Sequence, residues 1–227
     1  ESGISVDGGP DGKDNVCISG NYIEGLRSNG IKIEGPSGHD DMSIVNNQIY
    51  GVRRDYGIRY VSQGKRLTIK GNRVVGFGAD GTQTNPIGIR VDPVEALDVC
   101  EISGNLIADD GLTDGTGTLY GMFVRPSVGA LTKLNITDNT IDMQTTRAQV
   151  GLYLSTTGTG TLGGGVVERN RVYVTAGNTA ESYGGTGLVA INGMATAAAD
   201  DATPSVRGIR SLLIPSNTGA TAITQLD

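Results

Sequence analysis

Short runs of alternating apolar and polar residues recur along the chain, and each run is either closed by an asparagine or opened by a glycine. The asparagines are Asn21, Asn47, Asn72, Asn105, Asn139 and Asn170. Three positions before them stand Ile18, Ile44, Ile69, Ile102, Ile136 and Val167. Five before stand Val16, Met42, Leu67, Cys100, Leu134 and Gly165, and two after stand Ile23, Ile49, Val74, Ile107, Ile141 and Val172. The positions between are mostly polar, as at Ser43, Thr68, Glu101 and Asn135. Alternation with period two predicts strands that bury one face.

A second set of runs opens at Gly30, Gly57, Gly88, Gly121, Gly151 and Gly187. The next residue is Ile31, Ile58, Ile89, Met122, Leu152 or Leu188, and two further on come Ile33, Tyr60, Val91, Val124, Leu154 and Ala190. Successive asparagines lie 26, 25, 33, 34 and 31 residues apart. One supersecondary unit of three short strands therefore repeats, with loops of elastic length. The fold class predicted is all-β, a right-handed parallel β-helix of about six to seven coils of roughly 25–36 residues, each strand pairing with its equivalent one coil on. Asparagine at every bend is expected to supply left-handed backbone angles and to hydrogen-bond neighbouring turns as a structural ladder.

The regular pattern covers residues 1–192. Residues 193–227 begin Ala-rich and loop-like and continue the solenoid in a looser register, with strands expected near 206–214 and 222–226. The chain opens on Gly3-Ile4-Ser5-Val6, the glycine-led strand of a coil whose first half is missing. A bare solenoid end exposes core and strand edges, so a fragment of a longer chain, or capping by partners, is expected.

Composition supports this architecture. Thirty-six glycines, no tryptophan and 4% aromatics mean a core of Ile, Val and Leu with many tight turns. No apolar stretch is long enough to span a membrane as a helix. The formal charge of −6 argues against a nucleic-acid partner. Alternation points Cys17 outward and Cys100 inward, three coils apart, so no disulfide joins them. The residues imply no metal and no cofactor.

The pattern Ile-x-x-Asn-x-Ile-x-Gly followed by Gly-Ile-x-Val or its like, at residues 44–51 with 57–60 and at 69–76 with 88–91, resembles the pectin-lyase-like right-handed β-helix superfamily. Within it, the irregular loops look most like the trunks of bacteriophage tailspikes and polysaccharide depolymerases. The resemblance implies an extracellular or virion (tail) protein, a polysaccharide partner and a homotrimer with coils side by side. The separate catalytic motifs of the polygalacturonases are absent, since Gly38-His39-Asp40-Asp41 runs together in one loop. The Trp-Ile-Asp-His stretch of plant-type pectate lyases is absent as well.

Candidate chemistry lies where outward side chains of successive coils stack about 4.8 Å apart, a spacing that suits an extended sugar chain. The outward position two after each glycine carries Lys32, Arg59, Arg90, Phe123, Tyr153 and, last, Val189. The outward position two further on holds Asp7, Glu34, Val61, Asp92, Arg125 and Ser155. One reading is a salt-bridged outer face. The other has Lys32, Arg59 and Arg90 holding acidic sugars, Phe123 and Tyr153 as platforms for pyranose rings, and Glu34 and Asp92 as acid and base. His39, the sole histidine, is the candidate base for a lyase, from a surface loop. A second place is the edge where enlarged loops at 77–86, 109–119 and 174–186 pile up, bringing Asp80, Asp109, Asp110 and Asp114. Hydrolase, lyase and a non-enzymatic adhesive or spacer module all remain open on the residues alone, as does a free-standing epimerase or lyase domain.

Overall fold

In the computed structural model the described residues are 1–8, 15–35, 38–78, 85–109, 117–143, 145, 147–175 and 178–184, with the short strands Ala195–Thr196, Ser205–Val206 and Leu212–Leu213. Three parallel sheets run up the stack. The first is built from Ile4–Asp7, Ile31–Glu34, Tyr56–Val61, Ile87–Val91, Leu119–Val124, Gln149–Ser155 and Thr179–Gly184. The second contains Val16–Ser19, Asp41–Val45, Gly64–Lys70, Leu97–Ser103 and Ala130–Thr137, the last paired with both Thr161–Leu162 and Gly165–Glu168. The third holds Tyr22–Glu24, Gln48–Val52, Arg73–Phe77, Leu106–Ala108, Thr140–Asp142, Arg171–Tyr173 and Leu212–Leu213. The chain visits the sheets in turn, so each side chain lies above its equivalent one coil earlier.

The register follows the sequence alignment. Ile18, Ile44, Ile69, Ile102, Ile136 and Val167 pair in order in the second sheet. In the third, Ile23, Ile49, Val74, Ile107, Ile141 and Val172 do the same. These columns and Ile31, Ile58, Ile89, Met122 and Leu152 of the first sheet form one continuous buried core. Counted along the asparagines, five full turns separate Asn21 from Asn170, slightly fewer than the expected six to seven coils. Cys17 faces out and Cys100 is buried, both as free thiols, and burial pushes the Cys100 thiol up.

Two details correct the sequence reading. The left-handed residue is the one before each ladder asparagine: Gly20, Asn46, Gly71, Gly104, Asp138 and Arg169, with φ from 54° to 66°. The asparagine itself then points inward, where its amide bridges coils. At Gly104 a Cβ would meet nothing within 4 Å, so strain there comes from the backbone alone. Gly104→Ala is therefore expected to cost about 1 kcal/mol in urea unfolding and Gly104→Asn less, because asparagine tolerates this conformation.

The last described strand of the first sheet begins at Thr179, so the run that stacks on Gln149–Ser155 is not the one opened by Gly187. Glu181 stands where Leu188 was expected, beside Leu152, and Tyr183 beside Leu154, its hydroxyl on the Glu181 carboxylate. Residues 187–190 lie outside the described ones. The residue that takes the ladder-glycine position is Ala180, whose carbonyl faces Gly151. Toward the end of the chain, Ala195–Thr196 and Ser205–Val206 pair antiparallel, while Leu212–Leu213 extends the third sheet. Residues 222–226 also lie outside the described part.

Candidate functional site

Parallel register in the first sheet lines up Ser5, Lys32, Arg59, Arg90, Phe123, Tyr153 and Ser182 as one outward column. Its last described member is Ser182, where Val189 was expected. The neighbouring column runs Asp7, Glu34 and Val61. Asp92 and Arg125 prolong it just past their strands, donating their backbone N–H groups to the Tyr60 and Val91 carbonyls of the preceding coils.

Cations stacked on adjacent rungs repel one another, and carboxylates beside them offset part of that. Glu34 pairs with Lys32 and lies 3.8 Å from Arg59. The hydrogen bond from Lys32, with the Arg59 charge behind it, holds the Glu34 carboxyl below its usual range although burial opposes this. Two coils on, one oxygen of Asp92 accepts from Arg90 at 2.6 Å and from Arg125 at 3.1 Å. Asp92 is only 5% exposed, and its other oxygen has no partner. Burial works against the Arg90 charge, but the Asp92 hydrogen bond and Tyr56 outweigh it and raise its pKa above the ordinary value.

The aromatic residues form the other half of the face. Phe123 and Tyr153 stack with centroids 4.9 Å apart and planes 24° apart. Tyr120 packs edge-on to both. Arg90 donates to the Tyr56 hydroxyl at 2.8 Å and lies 5.1 Å from the Tyr56 ring centroid. Arg125 covers the Phe123 ring at 5.1 Å. Between Tyr56 and Tyr153 these side chains enclose an open cleft of about 300 Å³, with Asn85 and Ile87 completing its wall.

Of the residues singled out in the sequence, Arg90, Phe123 and Tyr153 line this cleft, and Asp92 braces it from below. Lys32, Arg59 and Glu34 continue the same face toward earlier coils without lining the cleft. Glu34 and Asp92 sit two rungs apart with Val61 between, roughly 9–10 Å by rung spacing. That is at or beyond the outer limit for an inverting carboxylate pair. His39 is fully buried at 0% exposure, its backbone N–H on the Gln63 carbonyl, and so is not the exposed loop residue expected. Gly64 packs against the His39 carbonyl so closely that a Cβ there would overlap it. Asp109 is also buried and accepts from the Thr145 N–H at 3.3 Å. Asp80, Asp110 and Asp114 lie outside the described residues. Among those described, no group of three acidic, histidine or cysteine side chains is placed to hold a metal.

Sequence reasoning missed Tyr56 and Tyr120. Each immediately precedes a ladder glycine, three residues before the outward cation or ring and not two. The chain turns a corner there, with Gly57 and Ile58 buried in succession and Gly121 and Met122 likewise, which breaks the alternation that would have revealed them.

Residues 1–163 match the model of a family described as a right-handed β-helix region, and the chain belongs to that family. No curated protein and no solved structure matches the chain.

Proposed function

We propose that this chain, a right-handed β-helix by family, is a polysaccharide-binding module of the tailspike kind, working outside the cell or on a virion tail as a homotrimer. An extended glycan lies along the outward face of the first sheet, with one sugar ring in the cleft between Tyr56 and Tyr153. The observation that carries this reading is the stacked pair Phe123 and Tyr153 beside the guanidiniums of Arg90 and Arg125, around a cleft of about 300 Å³. That volume is at the lower end of small-ligand sites and suits a single pyranose. Rungs about 4.8 Å apart repeat along the face, so sugars of one chain meet equivalent positions on successive coils.

Binding is the activity proposed, and not hydrolysis by the two carboxylates first considered. A general acid needs a carboxyl held protonated near neutral pH, which requires a raised pKa. Glu34 is shifted the other way by Lys32, and Asp92 is occupied by two guanidiniums.

Isothermal calorimetry against a panel of bacterial capsular and O-antigen polysaccharides tests the proposal. At least one polymer should bind, and Tyr153→Ala should weaken it about fivefold, the loss of roughly 1 kcal/mol of ring contact. New reducing ends should not appear on incubation. Turnover abolished by Glu34→Gln or Asp92→Asn would restore the hydrolase, and a folded protein that binds nothing on the panel would leave the rigid-spacer reading in its place.

A further inference from the structure

Over the rungs that carry Lys32, Arg59, Arg90 and Arg125, the first-sheet face offers two carboxylates, Glu34 and Asp92, to four cations. The chain as a whole is acidic, at −6. These rungs therefore carry two more cations than carboxylates on a chain that is acidic overall, and within the cleft two guanidiniums share one oxygen of one carboxylate. The Nε groups of Arg59, Arg90 and Arg125 are buried with no hydrogen-bond partner. A purely structural ion-pair face would match its charges, because surplus stacked cations repel and unpaired buried donors cost stability.

The geometry points to an anionic saccharide as the ligand of this cleft, an inference that rests on the glycan-binding reading above. A sugar bearing a carboxylate or a sulfate or phosphate ester places its negative group against Arg125 while its ring lies on Tyr153; Phe123, expected as a second platform, is buried and backs Tyr153 instead. Arg125 is the outer cation, with 36% of its side chain exposed, and Arg90 the inner one at 18%. Asp92 is a positioning residue here. By holding a terminal nitrogen of each guanidinium it fixes both forks and leaves a net positive charge for the ligand. The aromatic rings keep water from the cations on one side, which strengthens their attraction for an anion.

The probes are acidic capsular polysaccharides containing uronates, the same polymers after carboxyl reduction to neutral hexoses, and dextran sulfate beside plain dextran. Uronate polymers are expected to bind about tenfold or more tightly than their reduced forms, the worth of a charge-assisted contact. Arg125→Gln should abolish that preference, and added salt should erode it. Tyr153→Ala should weaken acidic and reduced polymers by the same factor, since a ring platform is blind to charge. Binding of dextran sulfate in place of the uronates would retain the anionic ligand and identify the group as a sulfate-like ester. Equal binding of acidic and neutral polymers would overturn the inference while leaving the glycan-binding function intact. No binding by any polymer would overturn both.

Discussion

Replacing Gly88 with alanine is expected to cost about 3 kcal/mol or more and to leave much of the chain unable to assemble its coils. The added Cβ would overlap the Cγ2 methyl of Ile107 from the third sheet, stand 2.6 Å from the Gly121 carbonyl of the next coil and press on Phe77 at 3.3 Å. The isoleucine methyl can turn aside. The carbonyl cannot, because it belongs to the ladder that joins coils. The same arrangement recurs at Gly57, Gly121 and Gly151, whose Cβ atoms would lie 2.6, 2.7 and 2.6 Å from the carbonyls of Gly88, Gly151 and Ala180. None of these glycines has a positive φ, so close packing at the corner, where third-sheet and first-sheet strands converge, excludes a side chain. Ala180 fits this cause: it occupies the equivalent position in the last described coil of the first sheet, where no further described strand of that sheet stacks on it. Urea unfolding of Gly88→Ala, alone and with Ile107→Ala, separates the two contacts. With Ile107→Ala alone measured as well, since truncating this buried side chain is itself costly, the double variant should lose less than the two single losses added but more than Ile107→Ala alone, because the carbonyl contact persists. A single variant within 1 kcal/mol of the parent chain would show that the corner yields and that the glycine ladder has another origin.

How far the fold was legible follows from which signals survive averaging over repeats. Inward columns such as Ile44, Ile69 and Ile102 recur six times at fixed offsets from an asparagine, so strand register could be read directly. The position of the left-handed residue could not, because four residue types fill it: glycine at Gly20, Gly71 and Gly104, then Asn46, Asp138 and Arg169. Where the repeat degrades, a spurious glycine misleads, and the Gly187 assignment failed because Ala180 serves in the last described coil. The outward stripe was readable as far as Tyr153, since it needs only the period of a strand. The cleft was not. It depends on Tyr56 and Tyr120 at a chain corner, where alternation breaks, although spacing alone already set Asp92 and Arg125 on successive rungs of one column. Burial of His39 likewise lies beyond a local reading, since its Gly-rich flanks look like an exposed loop from the sequence, while it is Gly64, one coil on, that packs against its carbonyl.

The asparagine ladder predicts a comparably large effect at its centre. Asn105 accepts from the Asn72 N–H and side-chain amide at 2.9 and 3.0 Å, and its own amide donates to the Ile69 carbonyl and to Asn139, each at 2.9 Å. Asn105→Ala removes all four bonds. Asn72 Nδ2 keeps the Ile44 carbonyl and Asn139 Oδ1 keeps the Asn105 N–H, but the buried Asn72 N–H is left without an acceptor. At 1–3 kcal/mol for a stranded buried group, with the other lost bonds added, the expected cost is about 4 kcal/mol. Asn21→Ala, at the more exposed end of the ladder, removes only donors to Asn47 and Ser19 and should cost about 1 kcal/mol. Asn105→Asp sharpens the test, because it keeps the acceptor oxygen but turns an ionised oxygen toward the Ile69 carbonyl and Asn139 Oδ1. Two Asn72 donors would still reach one oxygen, but full burial and the two acceptors facing the other oxygen oppose the charged form more strongly, so the pKa in the folded chain is expected above the unfolded value. A raised folded pKa makes stability greatest below the unfolded value of about 4 and progressively lost as pH rises through the folded one. Asn105→Asp should therefore unfold more easily at pH 7 than at pH 4, a trend absent from Asn105→Ala measured beside it. If the two variants track each other across pH, the amide is not the donor its geometry indicates, and the ladder's stability comes from the packing of the isoleucine columns instead.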